Sequence, residues 1–207
     1  MAPPQPRPQA DRRRSDTRQR ILEAAGELFR THGIDGVGVD AVMRQAGLTH
    51  GGFYLHFASK EALAEEVSQF LLEKSAARWD ELSHAPDRQA ALQRIVRPYL
   101  DPAHVAQAHA CPLATLGTDV ARRAGSKHAI GDSLRRMLEA LGRVLPGRKR
   151  QTALTALSTM VGAVVLARLA DDPALAEAFL ASAEASILPP ANSPANRPKV
   201  LRNSCPQ

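Results

Sequence analysis

The sequence predicts an all-α protein of about nine helices, and three observations carry this prediction. Apolar residues recur every three to four positions along almost the whole chain, as they do on one face of a helix. Only 4% of the 207 residues are aromatic while alanine is abundant, a composition that favours closely packed helices over sheet. No segment has the strict alternation of a half-buried strand. With 44% hydrophobic residues, most of the chain can contribute to a packed core.

The two ends of the chain are expected to lie outside this core. Residues 1–14 are rich in proline and end in three arginines, so we interpret them as a disordered basic arm. Residues 189–207 are proline-rich and aperiodic and are expected to form a disordered tail. The arm lacks the apolar run of a secretory signal, and Cys111 and Cys205 form neither a disulfide framework nor a zinc spacing. We therefore expect a soluble, reduced, cytoplasmic protein.

Four helices are predicted at the start of the chain, at about 17–32, 39–46, 50–57 and 60–84. The expected caps and stops, in chain order, are Asp16 or Thr17, Gly33, Gly47, Thr49 and Ser59. Three helices in so short a span, with a tight glycine turn between the second and third, predict a helix-turn-helix. The corner of an ordinary helical bundle would have the same geometry, so the turn alone does not decide between the two.

Five further helices are predicted at about 86–100, 112–123, 127–145, 148–170 and 173–187. We therefore divide the folded part into a helix-turn-helix domain, 15–64, and a second helical domain, 65–188. The uncharged stretch 151–167 carries a glutamine, threonines and a serine, and we interpret it as too short and too polar to span a bilayer. No membrane partner is expected.

The start of the third helix is the candidate surface for reading DNA. The second helix of a helix-turn-helix enters the major groove with its N-terminal residues nearest the base edges. Those residues are Thr49, His50, Gly51 and Gly52. Each glycine costs a helix about 0.8–1 kcal/mol relative to alanine, so the pair indicates that the backbone must approach the duplex closely. His50 is then the main long side chain able to read a base.

Further donors follow the glycine pair. Tyr54 can bond a phosphate through its hydroxyl, and His56 and Lys60 add donors on the same flank. Phe53 and Phe57, four residues apart, are expected to hold the small domain together. Each of these residue types alone is more often an ordinary surface or core residue, so the prediction rests on the whole set. The net charge of +6 and the basic arm suit a polyanion, although the arm can equally be a solubility tail.

The stretches TRQRILEAAGELFRTHG, VDAVMRQAG and LTHGGFYLHFASKEAL, within residues 16–64, resemble the DNA-binding domain of the TetR family of bacterial transcriptional regulators. The resemblance implies a homodimeric repressor that binds a palindromic operator on double-stranded DNA and releases it when a small molecule occupies the second domain. It implies DNA contacts from residues 49–52, Tyr54 and His56, a phosphate contact from Lys60, and no cofactor. The family often has threonine at the start of the second helix, where this sequence has Asp40. Asp40 is expected to favour the helix dipole, with capping or a cytosine contact as alternatives.

The ligand of the second domain cannot be identified from the sequence. Trp79, Tyr99, Met137 and Met160 are candidate pocket linings, although each can equally be plain core. No metal site is predicted, because the histidines near Cys111 lack a matching ligand cluster.

Cys111 precedes Pro112, which suits the first position of a helix. At the N-cap the helix dipole would favour a thiolate, which makes Cys111 a candidate sensor of electrophiles or oxidants. The alternative is a small buried residue that only packs or caps.

The last two helices carry apolar stripes, including Leu154, Leu157, Val164, Val165 and Leu175, that are expected to form a dimer interface; an intrachain core is the alternative. Two rival functions are an enzyme on a helical scaffold and a helical interaction protein without DNA binding. The sequence has no nucleophile with a base and no phosphate-cradling glycine loop, so we do not expect an enzyme.

Overall fold

The computed structural model describes residues 8–106, 111–122 and 127–188, and within these ranges the regular structure is helical throughout. The all-α prediction is confirmed. The α-helices are α1 Pro8–His32, α2 Val39–Gln45, α3 Lys60–Ser83, α4 Arg88–Tyr99, α5 Pro102–Ala106, α6 Pro112–Ala121, α7 Lys127–Val144, α8 Arg150–Leu169 and α9 Pro173–Ile187. Two short 3₁₀ helices, His50–Leu55 and Pro146–Arg148, lie between them. The first is called the 3₁₀ segment below.

α1 begins much earlier than predicted. The prediction of a disordered arm over residues 1–14 is wrong for residues 8–14, which are helical. A proline is tolerated in a first helical turn, and Thr17 is not a cap but an interior residue whose Oγ1 donates to the Arg13 carbonyl at 2.8 Å. Residues 1–7 and the predicted tail 189–207 lie outside the described ranges.

The turn between α2 and the 3₁₀ segment forms as predicted. Gly47 has a φ of +67°, which L-residues with a side chain rarely adopt, and it follows the C-cap Ala46. The Leu48 N–H donates to the Met43 carbonyl at 2.8 Å, which closes the end of α2. Gly33 ends α1 in the same way, with a φ of +72°.

The third helix is a 3₁₀ segment and not an α-helix. Thr49 occupies its N-cap, but the Thr49 side chain makes no capping hydrogen bond, so the predicted role of that side chain is wrong. A segment of six residues that includes two glycines gains little from α-helical hydrogen bonds, and 3₁₀ geometry is common in such short pieces. The predicted cap of the long helix is confirmed: Ser59 Oγ accepts from the Ala62 N–H at 3.2 Å.

Two hydrophobic clusters form the core. The N-terminal core joins α1, α2, the 3₁₀ segment and the first half of α3, and its largest fully buried side chains include Ile21, Phe29, Met43, Phe53 and Leu63. The C-terminal core joins the second half of α3 to α4, α7, α8 and α9, and includes Trp79, Ile95, Met137, Leu141 and Met160. Phe53 and Phe57 stack at 5.7 Å between centroids, as expected of residues that hold the small domain together.

α6 connects the two cores. Leu116 and Val120 of this helix pack in the N-terminal core, while Cys111, at its N-cap, packs in the C-terminal core. Asp119 Oδ2 accepts a hydrogen bond of 3.2 Å from the Ile34 N–H, just beyond α1. α6 is therefore in contact with both domains.

In the second half, the predicted end of a helix before Asp101-Pro102 is confirmed, because α4 ends at Tyr99 with Leu100 as its C-cap. The short helix α5 that follows was not predicted, and Asp101 accepts at its start from the Ala103 N–H at 2.7 Å. The uncharged stretch was expected to be too short for a bilayer, yet it belongs to α8, which is long and apolar enough to cross a membrane by length and composition. Met160 and Val164 of α8 are buried in the C-terminal core.

Candidate nucleic-acid interface and ligand cavity

The 3₁₀ segment presents an exposed edge anchored by one buried aromatic. Phe53 is fully buried, whereas Tyr54 is 64% exposed and Leu55 69% exposed. In a 3₁₀ helix, side chains three residues apart eclipse one another, so Gly51 lies beside Tyr54 and Gly52 beside Leu55. A phenol and an isobutyl group thus project from the molecule next to positions that carry no side chain.

Packing inside the protein does not require the glycine pair. A Cβ on Gly51 would meet no described atom within 4 Å, and one on Gly52 would lie 3.6 Å from Met43 Cε, an ordinary contact. Neither glycine has the positive φ found at Gly33 and Gly47. Within the described residues, neither packing nor backbone conformation accounts for the glycine pair.

Asp40 and His50 are brought together from different elements. Asp40 Oδ1 pairs with His50 Nδ1, and both side chains are more than half exposed. Gly38 is the N-cap of α2, so the alternative in which Asp40 caps the helix is wrong; Asp40 lies in the first turn, where its charge suits the helix dipole. The pair leaves His50 Nε2 without a partner among the described residues, at the edge of the 3₁₀ segment. That His50 reads a base stays a prediction, and Nε2 is the ring nitrogen that the pair with Asp40 leaves available for it.

The two remaining predicted phosphate donors, His56 and Lys60, differ in charge and in burial of their nitrogen atoms. His56 is half-buried, its Nδ1 is buried without a hydrogen bond to any described residue, and burial together with the charges of Arg14 and Arg18 lowers its pKa. His56 is therefore neutral near pH 7, which makes it a weaker phosphate partner than the sequence suggested. Lys60 is the first residue of α3, and its Nζ makes only a long contact of 3.4 Å with the Asp35 carbonyl.

Arg14 is a residue of this surface that the sequence reasoning missed. Because α1 starts at Pro8, Arg14 reaches the 3₁₀ segment and its Nη2 donates to the Leu55 carbonyl at 2.9 Å. The run of three arginines that includes Arg14 indicated positive charge in the sequence. Because residues 1–14 were interpreted as disordered, none of these arginines was assigned to a surface. The helical start of α1 therefore adds positive charge beside the exposed edge.

The C-terminal domain contains a cavity of about 960 Å³ between α3, α4, α7 and the end of α1. Four of the predicted lining residues contact it: Trp79, Tyr99, Cys111 and Met137. Trp79 and Tyr99 pack edge to face, 5.6 Å between ring centroids. Met160 does not line the cavity; it is fully buried in the C-terminal core, so its assignment to the pocket is wrong.

Cys111 is the N-cap of α6, as predicted, but its environment is not that of a reactive thiol. The side chain is 6% exposed and makes no capping hydrogen bond. Burial raises the pKa of the thiol, and the Tyr99 hydroxyl beside it offsets this only in part. The expected thiolate is therefore wrong for this conformation. Across 8–106, 111–122 and 127–188, no group of three or more His, Cys, Asp and Glu side chains is arranged to hold a metal ion.

The fold and the exposed glycine edge define a helix-turn-helix protein with a second helical domain. The family model described as bacterial regulatory proteins, tetR family, matches residues 21–67. The HTH-type transcriptional regulator SrpR of Pseudomonas putida is 36% identical over 94 residues, which cover 44% of this chain and 42% of SrpR. The uncharacterized HTH-type transcriptional regulator TtgW, also from Pseudomonas putida, is 36% identical over 94 residues as well, covering 44% of this chain and 66% of TtgW. The match thus spans less than half the length of SrpR and about two thirds of TtgW.

Solved structures match over most of the chain. E. coli NemR in its reduced form has a TM-score of 0.68 at 20% identity and covers 84% of this chain and 99% of NemR. A TetR-family transcriptional regulator from Agrobacterium tumefaciens has a TM-score of 0.70 at 19% identity and covers 85% and 100% of the two chains. At these identities the likeness extends the shared fold to the C-terminal domain. The chain belongs to the TetR family of bacterial regulators.

Proposed function

We propose that the protein is a cytoplasmic transcriptional repressor that binds a palindromic operator as a homodimer and releases it when a small molecule fills the cavity. Residues 15–64 would bind DNA and residues 65–188 would bind the ligand and the partner subunit. The N-terminal core that supports the first role extends along α3 to Leu72. Family membership and the helix-turn-helix support DNA binding, and a non-enzymatic role follows from the same reading.

The observation that carries the proposal is the edge at Gly51. The position has open space around it, lies at the leading end of the 3₁₀ segment, and is flanked by His50 and Tyr54, which are both largely exposed. A helix end without side chains lets backbone N–H groups face phosphate while neighbouring side chains reach bases. Arg14 and Lys60 supply positive charge on either side.

The homodimer is proposed from the exposed face of the last two helices. The predicted stripe divides in two: Leu157, Met160 and Val164 are buried in the subunit's own core. The large apolar side chains that remain exposed in this domain are Leu154, Leu166, Leu169 and Leu175. Four exposed leucines on two adjacent helices suit a helix bundle with a second copy.

Selection of DNA from a random duplex pool tests the proposal. The protein is incubated with the pool at about 0.2 M salt, where non-specific binding is weakened, and the retained duplexes are sequenced. A repressor dimer should enrich a palindrome whose half-sites lie about one helical turn apart. A helical interaction protein or an enzyme would enrich no sequence. Binding to the enriched duplex should also fall linearly in log affinity with log salt.

A further inference from the structure

We propose that the cavity binds an amphipathic organic anion, with its apolar body against Trp79 and Tyr99 and its anionic group held at the rim by Lys74, Arg78 and Arg94. The regulatory consequence, release of DNA, rests on the function proposed above. The chemical class of the ligand rests on the cavity alone.

The wall of the cavity is apolar and aromatic. Leu71, Trp79, Ile95 and Met137 line it, and all four are at least nine-tenths buried. Trp79 and Tyr99 pack edge to face and present aromatic surface to the cavity that suits an aromatic or acyl body. Such a surface supplies affinity but no preference for charge.

The Tyr99 hydroxyl is a buried polar group of the wall whose one polar neighbour among the described residues is weak. Tyr99 is 6% exposed, and its hydroxyl lies beside the Cys111 thiol, a weak acceptor, without the geometry of a hydrogen bond to any described residue. Buried hydroxyls in native proteins are nearly always hydrogen-bonded, so an unpaired one beside a cavity marks a place for a ligand atom. Burial raises the pKa of Tyr99 well above its usual range, which keeps the hydroxyl protonated and able to donate. It therefore suits an oxygen on the buried end of the ligand.

The rim supplies cations that are not engaged elsewhere. Lys74 and Arg78 lie one turn apart on α3 and Arg94 lies on α4; none of the three has an ion pair or a side-chain hydrogen bond within the described ranges. Unpaired cations around an apolar cavity attract an anionic head group.

Three carboxylates also line the cavity, but each has a donor. Glu23 accepts from Gln19 at 2.8 Å, Glu27 from Gln45 at 3.3 Å, and Asp101 from the Ala103 N–H at 2.7 Å. These donors are neutral, so the carboxylates keep their charge, and against Arg30, Lys74, Arg78 and Arg94 the lining has a net charge of +1. The excess positive charge lies on α3 and α4, on the three cations that have no ion pair within the described ranges.

A second groove, of about 840 Å³, provides an internal comparison. It is also lined by arginines, but Arg88 donates to the Arg143 and Leu145 carbonyls, and Arg143 is paired with Asp80. Arg88 and Arg143 therefore join elements of the fold, whereas Arg135 pairs with Asp132 on its own helix and Arg150 is exposed. None of the described residues that line this groove carries an unpaired buried hydroxyl. An anion that merely sought arginine would bind either groove.

The test compares two fluorescent probes that differ in one anionic group: 8-anilino-1-naphthalenesulfonate and the neutral N-phenyl-1-naphthylamine. Trp79 is the single tryptophan of the chain, so energy transfer from it reports binding in this cavity. The variant K74Q/R78Q/R94Q should lower affinity for the sulfonate about tenfold, about twofold for each charge removed. Its affinity for the neutral probe should stay unchanged.

K149Q/R150Q/R135Q is the matched control, because it also removes one lysine and two arginines, outside the cavity. It should bind both probes as the wild type does, with circular dichroism confirming that all variants fold. Equal loss of sulfonate affinity in both triple variants, or equal loss of both probes in the first, would overturn the proposal.

The role of Tyr99 is tested by competition against the sulfonate probe. We expect 6-hydroxy-2-naphthoate to compete several-fold better than 2-naphthoate in the wild type and equally well in Tyr99→Phe. Decanoate is tested in the same competition assay. Competition as strong as that of the naphthoates would indicate that the cavity accepts an acyl chain, and weaker competition would indicate a preference for an aromatic body. Equal competition by the two naphthoates in the wild type would remove Tyr99 from the site.

DNA measurements separate this inference from the proposed function. Fluorescence anisotropy of the enriched duplex should show release by the sulfonate from the wild type, and about tenfold weaker release from K74Q/R78Q/R94Q. If the probes bind in a charge-dependent way but the protein binds no DNA, the proposed repressor function is wrong and the proposed anion site stands. If the protein binds DNA but binds both probes regardless of charge, the proposed anion site is wrong and the proposed repressor function stands.

Discussion

The N-terminal and C-terminal domains differ in where their candidate binding residues lie. The N-terminal core is tightly filled by aromatics such as Phe29, Phe53 and Phe57, and its candidate site is on the outside, where His50 and Tyr54 are exposed. The C-terminal core packs alanines and methionines around a cavity, and its unpaired hydroxyl, on Tyr99, is inside. This difference agrees with the proposed division of roles, in which the first domain contacts DNA and the second binds a small molecule.

The connection between the two is limited to a few elements. α3 runs through both cores, and α6 contributes Leu116 and Val120 to the first and Cys111 to the second. Because a packed core is not continuously deformable, we expect a ligand of the kind proposed above to move these elements as units. Mutations can therefore be assigned to one core, to the other, or to the link.

The largest expected effect is at the outer edge. Gly51→Leu should abolish operator binding, at least roughly a hundredfold loss, because the side chain would occupy space that the duplex needs. The fold should be retained, since no described atom lies within 4 Å of the new Cβ. Electrophoretic mobility shift with the enriched duplex measures the loss.

The control for this change is Gly142→Leu, at another glycine whose Cβ would meet nothing within 4 Å. It should bind the duplex normally. If Gly51→Leu also binds normally, the glycine pair has no role in the approach to DNA.

The next effect concerns assembly. Leu166→Glu places a charge on the exposed face of α8, where Leu166 is 45% exposed, and should give folded monomers with about a hundredfold weaker operator binding. Light scattering measures the mass. Ala77→Glu, an exposed position on α3, is the control and should remain dimeric. A dimer of unchanged mass for Leu166→Glu would place the interface elsewhere.

The link between the cores should have an intermediate effect. Asp119→Ala removes the acceptor of the Ile34 N–H and should lower the free energy of unfolding by about 1–3 kcal/mol, the cost of losing a hydrogen bond to a charged group. Urea unfolding measures it. Thr118→Ala, a neighbouring position on α6, should change stability much less. A stability equal to the wild type would show that Asp119 does not join the two domains.

Loss of a base contact should change the free energy of operator binding by an amount similar to the stability change above, but only for some DNA sequences. His50→Ala should relax the preference at one or two positions of each half-site, about 1–3 kcal/mol for a good base contact. Tyr54→Phe should weaken all duplexes alike, because a phosphate contact carries no sequence information. Sequencing of the pools enriched by each variant distinguishes the two. An unchanged preferred sequence for His50→Ala would show that His50 does not read a base.

The smallest effect is a pH dependence from His56. Its pKa is lowered in the folded state, by burial first and by Arg14 and Arg18 next, so the unfolded chain binds the proton more tightly. Stability from this group is therefore present above the unfolded pKa of about 6.5 and is lost as the pH falls below it. Urea unfolding at pH 8 and pH 5 should show a smaller difference for His56→Gln than for the wild type. An equal difference in the two proteins would show that His56 does not contribute to the pH dependence.

Local signals in the sequence were sufficient for most of the N-terminal half. Gly33 and Gly47 end helices because their positive φ has almost no other residue to supply it, and Ser59 caps α3 through its own hydroxyl. Likewise, Phe53 and Phe57 could be assigned to the core from spacing alone. These features depend on residues that are neighbours along the chain, which is why a single sequence reveals them.

The remaining features depend on residues that are distant in sequence. Arg14 reaches Leu55 only because α1 starts at Pro8, and Asp40 meets His50 only after the turn has folded. The same holds for Cys111, whose N-cap position suggested a thiolate until burial reversed the direction of its pKa shift.

The sequence by itself determined the helical class, the helix-turn-helix and its exposed glycine edge, because periodicity, caps and glycine conformations are local properties of the chain. Only the tertiary structure decided that Met160 is core while Tyr99 faces a cavity, and that Leu157 is buried while Leu166 is exposed. The physical reason is that burial and electrostatic environment are set by which helix faces meet in space. Apolar residues on opposite faces of one helix look alike in the sequence until their neighbours are known.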